Sequence, residues 1–202
     1  MSDTLVVGRT YQQDVEAALG IELGSVCAPT AFYIEAKRLG YAAGNLPPAA
    51  FVKPCLQFDE QGNLVDSKRA VLSSCMRELF GISVVSWNTV DQPQDIDLMT
   101  RLGYLHTDEE RQFFAVKVQG RSVLDLVRSG YHVIAGVMPG FAANRVTHAV
   151  ILQQPSDPEL AAQGLVEVID PDQRNGKSVY TAEEIQHGLQ PGGACSIMLP
   201  AS

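Results

Sequence analysis

Gly24-Ser25-Val26-Cys27-Ala28-Pro29-Thr30-Ala31-Phe32-Tyr33-Ile34-Glu35-Ala36-Lys37-Arg38-Leu39-Gly40 decides how this chain is read. The spacing predicts a helix over 28–39, because Ala28, Phe32, Ala36 and Leu39 recur on one face. Pro29 suits the first turn, where a missing N–H costs nothing. Lys37 and Arg38 occupy the last turn, and Gly40 is placed as a stop. Cys27 then falls at or next to the N-cap, an unusual cap because the common ones carry a side-chain oxygen. Unpaired backbone N–H groups and the helix dipole favour an anion there. For a cysteine this means a lowered pKa and more thiolate, the nucleophilic form. The other reading is a small core residue, the role of most free cysteines. This stretch alone leaves both open.

Upstream, Thr4 to Val7 reads as a short strand, Tyr11-Gln12-Gln13-Asp14 as an extended lead-in, and Val15 to Leu19 as a turn of helix. Gly20 and Gly24 are breaks. Downstream, 40–65 has little periodicity and reads as an irregular excursion. Asp66 or Ser67 is expected to cap a second helix. Its apolar stripe is Val71, Leu72, Cys75, Met76, Leu79 and Phe80, with Gly81 as the stop. Cys75 on that stripe reads as core.

Beyond it the pattern changes to strands: Ile82 to Trp87, Phe113 to Val118, Tyr131 to Val137, Thr147 to Gln153, Leu165 to Asp170 and Ser196 to Leu199. A turn of helix fits Asp95 to Leu102. Ser122 to Asp125 and Thr181 to Glu184 read as capping boxes that open short helices. Helices followed by a run of strands imply one α+β domain over 1–202, N-terminal helices packed on a mostly antiparallel sheet.

The length of 202 residues suits a single well-cored domain. A net charge of −8 argues against nucleic acid or an anionic membrane as partner. The start lacks a charged segment followed by an apolar one, and the nearly apolar run from Val133 to Ala143 is far short of a spanning helix. The four cysteines at 27, 55, 75 and 195 form no Cys-x-x-Cys. The expectation is a cytosolic protein with reduced thiols, no membrane span, and no metal or cofactor.

Period two places His148, Val150 and Leu152 on one strand face, and Val166, Val168 and Asp170 on one face of the next. If these strands pair antiparallel, the start of the first lies beside the end of the second. A carboxylate there accepts the imidazole N–H and fixes its tautomer. The other ring nitrogen would face the Cys27 sulfur, and a thiolate held by an imidazolium is a competent acyl-transfer nucleophile. Taken singly, His148 also reads as an ordinary hydrogen-bonded histidine, and Asp170-Pro171-Asp172 as a turn.

Four segments in order carry a resemblance. Cys27-Ala28-Pro29-Thr30-Ala31 opening a helix resembles the cysteine box of the C39-like branch of papain-fold cysteine peptidases. Leu126 to Gly136 resembles the strand before that family's histidine, and Thr147 to Leu152 the histidine strand itself. Val168-Ile169-Asp170-Pro171, followed by Ser178 to Ile185, resembles its aspartate–proline ending. The resemblance implies a papain-like fold, a peptide or protein substrate, Cys27 as nucleophile, His148 as general base and acid, and Asp170 as the residue that orients the histidine. Ala28 and Thr147 stand where the family usually has glycine. The family's oxyanion glutamine usually precedes the cysteine by about six residues, a donor aimed at the developing charge. Here 21–26 are Ile-Glu-Leu-Gly-Ser-Val, so Gln13 is assigned that role, with Gln12 as the fallback.

Asn175-Gly176-Lys177-Ser178 ends like a phosphate loop but lacks its glycine-rich lead, and His106-Thr107-Asp108-Glu109-Glu110 reads as a solvated face. Three functions follow from the fold: hydrolysis of a peptide or other amide bond, acyl transfer by the same residues, and a catalytically weak or inactive binding module for a peptide or small ligand.

Overall fold

The computed structural model describes residues 11–21, 26–61, 64–67, 72–88, 95–141, 147–172 and 178–200. The expected helix is present as α2, Cys27–Arg38, and nine of its residues are buried. Before it lies α1, Tyr11–Leu19. The expected extended segment at 11–14 is therefore helical. Gln12, Val15 and Glu16 are its buried positions, a spacing of three and four that belongs to a helix. The expected strand at Thr4 to Val7 lies outside the described residues.

The stretch read as an irregular excursion holds α3, Pro48–Val52, and a hairpin of β1, Leu56–Phe58, with β2, Leu64–Ser67. Short elements of this kind carry too few periods to show in a sequence. A 3-10 turn at Ala42–Asn45 packs so closely on α2 that a Cβ on Gly44 would meet the Lys37 backbone at 2.5 Å. Asp66 and Ser67 belong to β2, so neither caps the second helix, which is α4, Leu72–Phe80. Cys75 is half-buried rather than core, and Met76 beside it takes the fully buried position.

The main sheet has six strands in the order β3-β8-β4-β5-β6-β7, with every neighbour antiparallel. Its strands are β3 Val84–Asn88, β4 Val133–Val137, β5 His148–Gln153, β6 Val166–Ile169, β7 Val179–Tyr180 and β8 Ala194–Met198. Alternation along the strands divides the core in two. Ile134, Ala149, Ile151, Met198 and Val84 join α2, α3 and α4 on one face. Val133, Ala135, Val137, Val150, Leu152, Val166 and Val168 pack on the other face. There they meet α7, Val123–Arg128, and the segment after α6, Asp108–Phe113.

Phe113 to Val118, expected as a strand, is helical: α6 runs into a π-helical turn at Phe114–Val118. Phe114 and Val118 are buried while Ala115, Val116 and Lys117 between them are exposed, so the period is four and not two. Thr107 fixes the start of α6 with a complete capping box to Glu110. Glu110, fully buried, also accepts from the backbone N–H of Val84 and His106 and pairs with Arg77, which ties α6 to β3 and α4. The two capping boxes expected at Ser122 and Thr181 are both formed, the second opening α9, Ala182–Gly188. Earlier in the chain, α5, Ile96–Arg101, is capped by Asp95; α8, Pro158–Ala162, sits in the loop that joins β5 to β6. The chain is thus α+β with helices on a six-stranded antiparallel sheet. Among the described residues, no helix is long and apolar enough to cross a membrane.

Candidate active site

Cys27 is the first residue of α2, one position after the N-cap. The cap is Val26, which offers no side-chain hydrogen bond to the open N–H groups of the first turn. Nothing polar in the side chain at 26 competes for the anion-favouring end of this helix. Cys27 is 2 % exposed, as part of the α2 face that packs on the sheet.

His148 opens β5 and pairs in register with Val137 of β4. β5 and β6 are antiparallel neighbours with Ile151 opposite Ile169, so Asp170, next after β6, lies near the start of β5. The expected pairing is therefore present. The Nε2–H of His148 donates to Asp170 Oδ1 at 2.6 Å. With Nε2 taken, Nδ1 is the ring nitrogen left for the Cys27 sulfur, which is a second hydrogen-bond and charge partner of the ring. Burial alone would push the imidazole down. The hydrogen bonds to Asp170 and to the sulfur, with the charges behind them, outweigh burial and raise its pKa to about 9.

Asp170 is itself held. Its Oδ1 also accepts from the backbone N–H of Asp172 at 2.8 Å, the turn that Asp170-Pro171-Asp172 favours. α1 docks on this turn, since the Gln12 N–H donates to the Pro171 carbonyl at 3.2 Å. The Gln13 amide donates to Asp172 Oδ1 at 3.5 Å. The structure thus brings Cys27, His148 and Asp170 together, and places Gln13 on the turn that carries Asp170. Gln12, the fallback, is 1 % exposed and donates to Glu16 at 2.9 Å. Sequence reasoning missed Asp172 as a partner of both Asp170 and Gln13. The Asp-Pro-Asp turn was the signal that could have shown the first of these.

Two of the other three histidines have other partners. His106 Nε2 meets Ser74 Oγ at 3.1 Å, and His132 Nδ1 meets Glu35 Oε2 at 3.2 Å. His187 is exposed on α9. Three residues of the phosphate-loop-like stretch, 175–177, lie outside the described residues. Among the described residues, no group of three or more His, Cys, Asp or Glu side chains is placed to hold a metal ion.

The remaining thiols differ from Cys27 in surroundings. Burial, with the nearby Cys75 charge, pushes Cys55 up to about 12, and burial alone raises Cys195. None of the four cysteines is in a disulfide. No protein-family model matches this chain, and the searches of curated proteins and of solved structures return no match.

Proposed function

We propose that this chain is a cysteine hydrolase of the papain-like, C39-like kind, cleaving a peptide or other amide bond through Cys27, His148 and Asp170. One observation carries the reading. A buried imidazole bonds a carboxylate through one nitrogen and the thiol of a helix's first residue on its other side, and both raise its pKa. An imidazolium that persists to about pH 9 is the natural counter-ion of a thiolate. Four cysteines outside any disulfide suit the reducing, cytosolic setting expected of such a nucleophile.

The Cys27 sulfur attacks the substrate carbonyl carbon, forming a C–S bond while the carbonyl electron pair moves to oxygen. In this reading the backbone N–H of Cys27, at the start of α2, is a donor to that charge. His148 gives its proton to the departing amine as the C–N bond breaks, leaving a thioester. It then takes a proton from water, which attacks the thioester and returns the thiolate. Asp170 keeps the ring oriented with Nε2 bound. A second nucleophile in place of water would make the same residues an acyl transferase.

The binding-module reading has one observation in its favour: the Gln13 amide is given to Asp172. Iodoacetamide at pH 6 separates the two, with modification read at each cysteine by mass spectrometry. An ordinary thiol of pKa ~8.5 is almost wholly protonated there. Cys27 should react at least about 50-fold faster than Cys55 and Cys195, and Cys27→Ala should abolish turnover of fluorogenic peptide amides. Equal rates for the cysteines of the folded protein would leave the binding module.

A further inference from the structure

A cavity of about 480 Å³ opens between the turn that follows β4 and the helix α9. Small-molecule sites run from roughly 300 to 1,000 Å³. It is separate from the Cys27 end of α2. Phe141 and Tyr180, which wall it, belong to the core on the sheet face away from α2. Cys27, His148 and Asp170 are not among its lining residues.

Its inner wall is apolar and firmly held. The Phe141 and Tyr180 rings stack with centroids 4.8 Å apart, and both residues are buried. Phe141 lies so close to Gly188 that a Cβ there would meet its ring at 2.1 Å. The Met138 N–H donates to the Gly188 carbonyl at 2.8 Å, which ties the turn to the end of α9. Half-buried Met138 completes the apolar side.

The mouth has the opposite character. Glu183 and Glu184 line it and are exposed, and no lysine or arginine is among the described residues around the cavity. Glu184 also serves the helix cap, where its Oε2 accepts from the Thr181 N–H and hydroxyl. The N-terminus of a helix carries about +0.5 of a charge, which two carboxylates outweigh. An apolar wall behind a negative mouth matches a molecule with an apolar body and a cationic head. An anion of the same shape would meet like charge, and a neutral molecule would gain only the wall.

We propose that this cavity is a binding site for a small organic amine, an ammonium group on a short arylalkyl body. The site is distinct from the Cys27 cluster and does not depend on the hydrolase reading.

The test uses phenethylamine, phenylethanol and phenylpropionate, which share one body and carry a cationic, a neutral and an anionic head. Each is titrated into the isotope-labelled full chain and followed by amide NMR shifts. The titrations run at pH 8, where an ordinary imidazole of pKa ~6.5 is neutral and an alkylamine is charged. Shifts at Met138, Phe141, His187 and Gly188 should saturate with phenethylamine. Its dissociation constant should be at least about fivefold below that of phenylethanol, the scale of two exposed charge pairs. Phenylpropionate should leave these amides unmoved. Glu183→Gln with Glu184→Gln should remove the advantage of the amine. Glutamine at 184 keeps the cap, since a capping box takes either residue there. Glu109→Gln with Glu159→Gln removes the same charge from exposed positions elsewhere and should leave the constant within about twofold. Circular dichroism reports that both variants are folded. Iodoacetamide labelling of Cys27 should stay within about threefold at saturating amine. Phenethylamine binding no tighter than phenylethanol would overturn the site. So would an advantage that survives the loss of Glu183 and Glu184, or one lost equally in the control pair. Shifts centred on the residues around Cys27, with labelling slowed, would place the amine elsewhere and overturn it too.

Discussion

At its first residue α2 delivers Cys27 to His148, and in its last two turns it carries Glu35, which is also buried and also bonds a histidine. Both ends of one helix therefore set an imidazole against a carboxylate, His148 buried at one end and His132 half-buried at the other. At the far end burial would raise the Glu35 pKa, but His132 and Arg38 together lower it. Arg38 grips both carboxylate oxygens, through Nε at 3.0 Å and through its terminal nitrogen. An arginine keeps its charge at any working pH, so that carboxylate is compensated whether or not His132 is protonated. At the near end the carboxylate accepts from a backbone N–H and from His148, and the ring's other partner is the Cys27 thiol. There the proton on the imidazole faces both the carboxylate and the thiol, and in the proposed reaction it is given up and recovered. The ingredients of the two ends differ by one arginine and one thiol, and on the proposed hydrolase reading that difference turns a structural clamp into a site for proton transfer.

Removing the histidine from each end should break this comparison most sharply. His148→Ala is expected to slow Cys27 alkylation at pH 6 by about 100-fold, towards the rate of a thiol near its ordinary pKa of ~8.5. His132→Ala should leave that rate within about threefold. If His132→Ala had the larger effect, the assignment of the two ends would be reversed.

The carboxylates should separate activity from stability. Asp170→Asn leaves shape but offers an amide where the ring needs an acceptor, and should lower kcat for peptide amides by about 100-fold or more. Glu35→Gln should leave kcat/KM within about threefold and cost about 1–3 kcal/mol of stability, because it weakens a buried charge-assisted cluster. Thermal melts and steady-state kinetics on the two variants read both quantities. Glu35→Gln lowering kcat as far as Asp170→Asn would erase the distinction.

The two ends also differ in pH dependence. The His148 pKa is raised to about 9 in the folded chain, against about 6.5 when unfolded. Its contribution to stability is therefore full below about pH 6.5 and is lost as pH rises through about 9. Amide hydrolysis should fall over the same alkaline limb, since the leaving amine needs the imidazolium proton. Glu35 has the opposite sign. Its lowered pKa gives stability above the usual carboxylate range and loses it as pH falls through the folded value. Melting temperatures from pH 3 to 10 should drop at both extremes. His148→Ala should remove the alkaline drop, and Glu35→Gln should remove part of the acid one.

Much of the Cys27 end was legible in the sequence, because each residue there marks an element boundary. Cys27 sits where apolar periodicity of four begins, His148 where a β-branched run begins, and Asp170 where the next run ends at Pro171. The antiparallel register then had little freedom in where to put them. The far end was not legible. Lys37 and Arg38 could be read as last-turn cations, but the pairing of Glu35 with His132 spans 97 positions and leaves no local pattern. Phe113 to Val118 misled for a different reason. Two aromatics and two valines within six residues carry strand propensity, and the burial of Phe114 and Val118 against the sheet overrode it. The helix α1 was half-seen because its polar residues Gln12 and Glu16 are buried, where an apolar stripe would have been expected.

The smallest expected effect concerns Gln13. Loss of an oxyanion donor costs about 100- to 1,000-fold in kcat. The Gln13 amide instead reaches Asp172 over a long 3.5 Å, and Asp172 is the residue whose N–H steadies Asp170. Its influence on the reaction is therefore expected to pass through the turn. Gln13→Ala should lower kcat by less than about tenfold, and Asp172→Ala should do the same. The double variant should lose little more than either single one, because both remove the same bond. The alkaline limb of the pH profile supplies an independent check. A loosened turn weakens the Asp170 bond that raises His148, so the limb should move to lower pH in both variants. A 100-fold loss for Gln13→Ala with an unmoved limb, and additivity with Asp172→Ala, would instead make Gln13 the oxyanion donor. The docking of α1 on the Asp170 turn would then serve to aim that amide at the substrate.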